Sequence, residues 1–479
     1  MINGFYKKTQ KRVAIYKADY FGFQLSNILQ RDNSYKVICF LDDSRVLEGN
    51  SINSIPIKSL YKFKNKEKIE TLIIASKLAR NTKIQNILKE FEFNGIETKR
   101  FSPLEYLRDE KYDSNVYPMI SQQEILGREK VKPSKKLIKA SINEEISVSI
   151  TGAGGSIGSE LCRQVINMKP RCLILIDFCE YNLFKIYEEL KELNFKETIL
   201  VPKLINTEDQ LSLEKAFVKY KVNIIFHAAA YKHVGIVELN PVEGLKNNLL
   251  STQSICKAAI NSKIEKLILI SSDKAVRPTN IMGGTKLLSE FILKKYSEKK
   301  DLSTKFVIVR FGNVIDSSGS VIPIFREQIK NGGPITITDS RMERFFMTIS
   351  EAVHLVLQAS VLADGGDTYI LNMGKSVKII NVAKRMISSA GLKIKDSNNK
   401  DGDIEIKIVG MKKGEKLKEE LLINGNKKNT IHPLINKAEE KINLPIKLLE
   451  KIDEIIFYCK ENDKNKVLKL FNILIKDYV

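Results

Sequence analysis

SVSITGAGGSIGSEL, residues Ser147–Leu161, runs from an apolar strand into a glycine turn and on into a helix. Gly152 permits the tight turn, Gly155 lets backbone approach a pyrophosphate at the helix N-terminus, and Gly158 lets helix and strand pack closely. The next apolar run, CLILIDFCEYN, ends in Asp177, where a carboxylate accepts from the hydroxyls of an adenosine ribose. A glycine triplet alone is weak evidence; strand, helix and acid in this order read as a dinucleotide site. Ser156, Ile157 and Asn182 complete its expected contacts. No arginine directly follows Asp177 to receive a 2′-phosphate, so NAD is expected over NADP.

Outward from this segment, EEISVSI, CLILID, NIIFHAAA, KLILISSD and KFVIVRFGN are apolar runs separated by helical stretches. That alternation predicts a doubly wound parallel sheet, hence an α/β fold. After residue 313 the pattern breaks into loops, short strands and helices (SVIPIFREQI, PITITD, IEIKIVG), as in a smaller substrate-binding subdomain. Residues 441–479 read as amphipathic C-terminal helices. Upstream, KRVAIYKADYFGFQLSNIL, KVICFLDD and IETLIIASKL predict a first, smaller Rossmann-like unit over 1–103, joined by a polar linker at 104–145 to the catalytic domain at 146–440. Its first turn, Lys17 to Gly22, keeps one glycine, so this unit is expected not to bind a dinucleotide.

The chain has 479 residues and net charge +21. Its lysines are interspersed with acids, as in KIYEELKELNFKE, and form no basic stripe, which argues against nucleic acid as a partner. A basic surface still attracts anionic substrates. The six cysteines include no CxxC pair and the four histidines are dispersed, so no metal site is expected. No apolar run is long enough to span a membrane, and MINGFYKKTQKRVAIY has no secretory core; a cytoplasmic protein is expected.

The GxxGxxG spacing resembles the extended, nucleotide-sugar-modifying branch of the short-chain dehydrogenase/reductase superfamily. HAAAYKHV (His227–Val234) resembles the motif whose backbone at Ala228, Ala229 and Ala230 passes the nicotinamide ribose, with Lys232 beside it. Asn248 matches a family asparagine behind the active site, counted here with the cofactor contacts. Lys286 matches the lysine that holds that ribose. SSDKAVRPTNIMGGTK, VRFGNVIDSSGSVIPIF, MERFFMTISEAVHLVLQA and GEKLKEELL narrow the likeness to CapD-like UDP-N-acetylglucosamine 4,6-dehydratases, over about residues 121–440. The first unit resembles the degenerate Rossmann domain of the membrane-anchored members, so the chain resembles their cytoplasmic part; homo-oligomers are expected.

The resemblance implies C4 oxidation, loss of water across C5 and C6, and hydride return to C6. It assigns Asp273 as acid for the departing hydroxyl, Lys274 as base at C5, and Ser272 as the partner of the C4 oxygen. Met282 stands four residues before Lys286, where many relatives have tyrosine, and this implies retention at C5. Lys232, His233, Asn313, Ser320, Val321 and Arg344 are the expected substrate contacts, Arg344 as a bidentate phosphate clamp. Three departures stand out: Asn206 for an adenine-reading aspartate, Asp316 for a glycine, and Lys412-Lys413 for arginine–proline. The competing readings are a UDP-sugar 4-epimerase, which leaves Asp273-Lys274 unexplained, and a silent NAD- and sugar-binding scaffold.

Overall fold

The structure is a computed structural model describing residues 10–31, 34–42, 47–60, 63, 69–74, 91, 96–100 and 142–476, apart from 193–196, 300, 391, 398, 424–425, 441 and 443. The expected linker lies almost entirely outside these residues. The chain divides into two compact units, residues 1–121 with 326–335 and 383–406, and residues 122–325 with 336–382 and 407–479.

The first unit carries β1 (Lys11–Tyr16), α1 (Tyr20–Arg31), β2 (Tyr35–Asp42), β3 (Ser51–Ile52), β4 (Ile55–Ser59), β5 (Thr71–Ile74) and β6 (Glu97–Arg100). Its sheet runs β3-β4-β2-β1-β5-β6 and is parallel except for β3 against β4. Lys17 sits at φ +86° in its first turn, a backbone conformation that favours glycine. A Cβ on Gly22 would come 1.9 Å from the Lys17 carbonyl oxygen, so this glycine is needed for helix α1 to pack. The Gly22 amide donates to Asp19 Oδ1 at 3.0 Å, which brings a carboxylate to the start of the helix, the end that favours anions.

The second unit holds a nine-stranded sheet. Its core strands are β7 (Ser147–Thr151), β8 (Cys172–Asp177), β9 (Ile199–Leu204), β10 (Ile224–His227), β11 (Lys266–Ile270) and β12 (Lys305–Arg310). β13 (Asp367–Leu371), β14 (Asn426–Asn429) and β15 (Ile435–Glu439) extend it to the order β14-β15-β13-β12-β11-β10-β7-β8-β9. Strands β7 to β13 are parallel, and β14 and β15 are antiparallel additions. The α/β class is as the sequence indicates. The region after residue 313, however, returns three strands to the main sheet. DTYIL is five buried residues with no alternation to mark it as a strand.

Because β7 connects to β8 on one side and neighbours β10 on the other, the chain reverses direction beside β7, which opens a crevice at the strands' C-terminal ends. Helices α2 (Ser156–Ile166), α3 (Glu180–Glu192), α4 (Gln210–Lys219), α5 (Val234–Leu239), α6 (Pro241–Asn261) and α7 (Ile281–Ser297) connect these strands. Asn280 caps α7 by accepting from the Gly283 amide. Further on come α8 (Val321–Lys330), α9 (Ile349–Leu362) and α10 (Ile379–Ser389). The expected C-terminal helices are α11 (Leu448–Lys460) and α12 (Lys464–Lys476), whose Ile452, Ile455, Val467, Phe471 and Leu474 are buried in one core with α6 and α7.

Candidate active site

The glycine turn after β7 forms one wall of a cavity of about 680 Å³. Gly152 has φ +66°, and a Cβ there would come 2.8 Å from the Ala229 amide nitrogen. A Cβ on Gly158 would come 1.9 Å from the Gly152 carbonyl, so α2 can approach β7 only because that position is glycine. The N-cap of α2 is Gly155, which has no side chain to satisfy the first amides. The turn therefore offers a bare helix N-terminus over a cavity, the arrangement an anionic pyrophosphate needs. Gly152, Gly155, Ser156, Ile157, Gly158, Asp177, Asn182, Ala228, Ala229, Ala230 and Lys232 all line it. Asp177 is buried; its carboxylate accepts from the Gly154 and Cys179 amides, both at 2.9 Å, and so also fixes the turn.

Asn248 lines neither this cavity nor the one beside it. Expected among the cofactor contacts, it is set behind the wall of the cleft. Buried in α6, it accepts from the Tyr231 amide at 2.8 Å and donates to the Tyr231 carbonyl at 3.1 Å and to Thr285 Oγ1 at 2.8 Å. It ties the loop after β10 to helix α7, an indirect role that a sequence motif does not distinguish from contact.

The second cavity, about 540 Å³, shares Ile157, Ala228, Ala230, Lys232, His233 and Ser318 with the first. Ser272, Lys274, Met282, Lys286, Asn313, Ser320, Val321 and Arg344 also line it. Lys286 donates to the Ile270 carbonyl at 2.7 Å, and burial pulls its ammonium down to about 8 against the opposing pull of Glu290. Burial lowers Lys232 as well, and burial together with Lys232's charge lowers His233. Arg344 is anchored by Nη1 donating to the carbonyls of Glu343 (2.7 Å) and Leu417 (3.2 Å). Lys412 adds a further cation to the lining, while Glu415 is its one carboxylate. The balance of charge suits a diphosphate.

At the end of β11 the backbone makes a short 3₁₀ turn over Asp273–Ala275, so that Ser272, Asp273 and Lys274 converge. Ser272 Oγ donates to Asp273 Oδ1 at 2.9 Å, Lys274 Nζ donates to the same oxygen at 3.0 Å, and Nζ also donates to Asn313 Oδ1 at 3.0 Å. Asp273, expected as the acid for the departing hydroxyl, sits behind the cavity wall. It is fully buried and outside the lining, and its Oδ2 has no hydrogen-bond partner. Gly312, which does line the cavity, lies against that oxygen: a Cβ at 312 would stand 3.0 Å from Oδ2. Met282 presents a thioether to the cavity and offers no proton. Ser320 Oγ is a buried hydroxyl without a partner.

Sequence reading named no role for Glu419, which lies 3.9 Å from Lys274 Nζ, or for Gly312. Asp316 sits at φ +62°, a conformation that glycine adopts freely and aspartate is among the residues that tolerate. Among the described residues no cluster of three or more metal-ligating side chains occurs, and no helix is long and apolar enough to cross a membrane.

Residues 148–440 match the model of a family described as polysaccharide biosynthesis protein. The chain belongs to that family. The capsular polysaccharide biosynthesis protein CapD of Staphylococcus aureus is 37% identical over 411 residues, 85% of this chain; the chain spans 66% of CapD, just under two thirds. The inverting UDP-N-acetylglucosamine 4,6-dehydratase of Campylobacter jejuni is 29% identical over 66% of this chain and 93% of its own length. A UDP-glucose 4-epimerase of Rickettsia rickettsii is 34% identical over 58% and 77%. Among solved structures, Pen from Bacillus thuringiensis superposes with TM-score 0.53 and 35% identity, covering 59% of this chain and 84% of that one.

Proposed function

We propose that this member of the family is an NAD-dependent nucleotide-sugar 4,6-dehydratase. It takes UDP-N-acetylglucosamine to the UDP-4-keto-6-deoxy sugar with C5 configuration retained. The observation that carries the reading is the hydrogen-bonded Ser272–Asp273–Lys274 group at the edge of a cationic cavity that adjoins the glycine-turn cleft. The Campylobacter relative's name supports the dehydration and its substrate, and the staphylococcal name supports a place in polysaccharide synthesis. The Campylobacter enzyme is inverting, so retention rests on Met282 standing where many relatives have tyrosine.

When bound, NAD supplies the hydride acceptor for C4 and, once reduced, the donor for C6. The glycine turn and Asp177 hold its adenosine and pyrophosphate, and Lys286 its nicotinamide ribose. Arg344, Lys232 and Lys412 hold the substrate's diphosphate, with His233, Asn313, Ser320 and Val321 closing round the sugar. Ser272 contacts the C4 oxygen and passes the proton that the C4 hydroxyl loses on oxidation to Asp273, 2.9 Å away. Asp273 thereby holds the proton needed for the departing C6 hydroxyl. With C4 a ketone, Lys274 takes the C5 proton, the freed electron pair forms the C5–C6 double bond, and the C6 hydroxyl leaves as water with a proton from Asp273 past Gly312. Lys274 then returns its proton to the same face of C5, which gives retention. Met282 contributes shape and dryness instead of a proton. The reading places the protein in the cytoplasm as a homo-oligomer in surface polysaccharide synthesis, its first unit binding no dinucleotide.

The epimerase names among the relatives favour a second reading, UDP-sugar 4-epimerisation. Incubation with UDP-N-acetylglucosamine and mass spectrometry of the product separates them. Loss of one water supports dehydration, an unchanged mass with inverted C4 supports epimerisation, and binding without turnover leaves a silent scaffold.

A further inference from the structure

Glu419 belongs to the irregular segment after residue 411 and has no helix or strand to explain its position. Its neighbours are fixed from several sides: the Leu417 carbonyl accepts from the Glu343 amide at 2.9 Å and from Arg344, and Lys416 Nζ donates to the Val276 carbonyl at 2.6 Å. The carboxyl itself is 5% exposed. Its Oε1 lies 3.9 Å from Lys274 Nζ, and its Oε2 lies 3.5 Å from Lys416 Nζ yet makes no hydrogen bond. Burying a carboxylate with an unsatisfied oxygen is costly, and such groups persist where surrounding structure has a use for the charge.

The use is legible in the donors of Lys274. The amine of Lys274 gains a third N–H group when it takes a proton. Of the first two, one goes to Asp273 Oδ1 and one to Asn313 Oδ1, both at 3.0 Å. Glu419 is the remaining anion at ion-pair distance. Lys274, which lines the second cavity, is the site residue it faces, so its charge reaches the reaction through Lys274.

We propose that Glu419 is a positioning residue that holds Lys274 Nζ at the reacting face and stabilises the ammonium it becomes on taking a proton. The proton-transfer part rests on the dehydratase reading; the hold on Lys274 does not. In the proposed step the C5–H bond breaks, an Nζ–H bond forms, and Glu419 balances the new positive charge without exchanging a proton itself.

The test uses the full chain with Glu419→Gln and the charge-retaining Glu419→Asp. Lys274 is labelled by reductive methylation with formaldehyde and cyanoborohydride and followed by peptide mass spectrometry; solvent deuterium uptake at C5 of UDP-N-acetylglucosamine is measured alongside. In Glu419→Gln, Lys274 is expected to label several-fold faster than in wild type while Lys286 labels as before. C5 exchange is expected to fall roughly 10- to 100-fold with KM little changed, part of the range that general-base catalysis supplies. Glu419→Asp is expected to recover most of both. Unchanged Lys274 labelling in Glu419→Gln, or equal defects in the Gln and Asp variants, overturns the inference. If labelling responds as expected but wild type exchanges no C5 proton, the hold on Lys274 stands and the dehydratase reading falls.

Discussion

The absent Cβ of Gly312 decides whether Asp273 can take part in the chemistry. Any larger residue places an atom 3.0 Å from Oδ2 and 3.2 Å from the Phe345 Cβ. Gly312→Ala is therefore expected to cut turnover on the order of 100-fold, the scale of an ångström misplacement, while bound cofactor stays at the wild-type amount. Steady-state kinetics and released-cofactor absorbance check both halves. A second residue-scale prediction concerns His227, which is 1% exposed and pairs with Thr151 Oγ1 at 2.7 Å. Burial, aided by the charge of Lys286, pulls its imidazole down to about 3 from 6.5. Between those values the unfolded chain binds a proton that the native state refuses. Its contribution to stability is complete above about pH 6.5 and is lost as pH falls toward 3. Denaturant titrations at stepped pH should show wild type losing stability faster than His227→Gln over that window, by on the order of 5 kcal/mol in total. At this scale the sequence was informative about Lys274 and Met282, which sit in a local motif. It was silent on Glu419, which meets Lys274 from a segment more than 100 residues away, and on the burial of Asp273 against Phe311 and Gly312.

Strand β12 and helix α7 are joined by a buried ion pair. Arg310, fully buried, donates to Glu290 at 2.8 Å (Nε) and 2.6 Å (Nη2), and to Glu440 at 2.7 Å. Ser271, at the end of β11, donates to the same Glu290 at 2.5 Å. Burial alone would raise the Glu290 carboxyl, but Arg310 holds it below the usual range. The network fixes the strand end bearing Ser272 against the helix bearing Met282 and Lys286. Arg310→Met leaves a buried carboxylate unpaired and is expected to cost about 3–5 kcal/mol of stability in denaturant unfolding. On the opposite side of α7, Gly284 lies under Phe471 of α12, and a Cβ there would come 2.3 Å from the ring. Gly284→Ala is expected to destabilise by roughly 1–3 kcal/mol, read as a lowered midpoint in the same titration. Element types were plain where a strand was an apolar run between helices, as in CLILID and KLILI. They were not plain for DTYIL, nor for the antiparallel Asn426–Asn429 and Ile435–Glu439, whose place at the sheet edge follows from long-range pairing that no local pattern encodes.

Across the whole molecule the two units carry related turns with different chemistry. Gly22 and Gly158 each lie 1.9 Å, at an added Cβ, from the carbonyl of the residue that opens the turn, Lys17 in one and Gly152 in the other. In the first unit that opening residue is a lysine 3.6 Å from Asp42, and Asp19 caps the helix with its own carboxylate. In the second the helix start is bare glycine. Purified protein is accordingly expected to hold one NAD per chain, and Gly155→Val is expected to abolish all of it; two equivalents, or retention in that variant, would contradict the assignment. The glycine pattern already separated the units in the sequence, because a missing glycine is a local fact.

The most direct test of the central claim is NMR of the purified protein with UDP-N-acetylglucosamine in D2O without added cofactor. The account predicts a 4-keto-6-deoxy product of unchanged C5 configuration, carrying solvent deuterium at C5, formed by wild type and not by Lys274→Met. A product that keeps its C6 hydroxyl, or one inverted at C5, would contradict it.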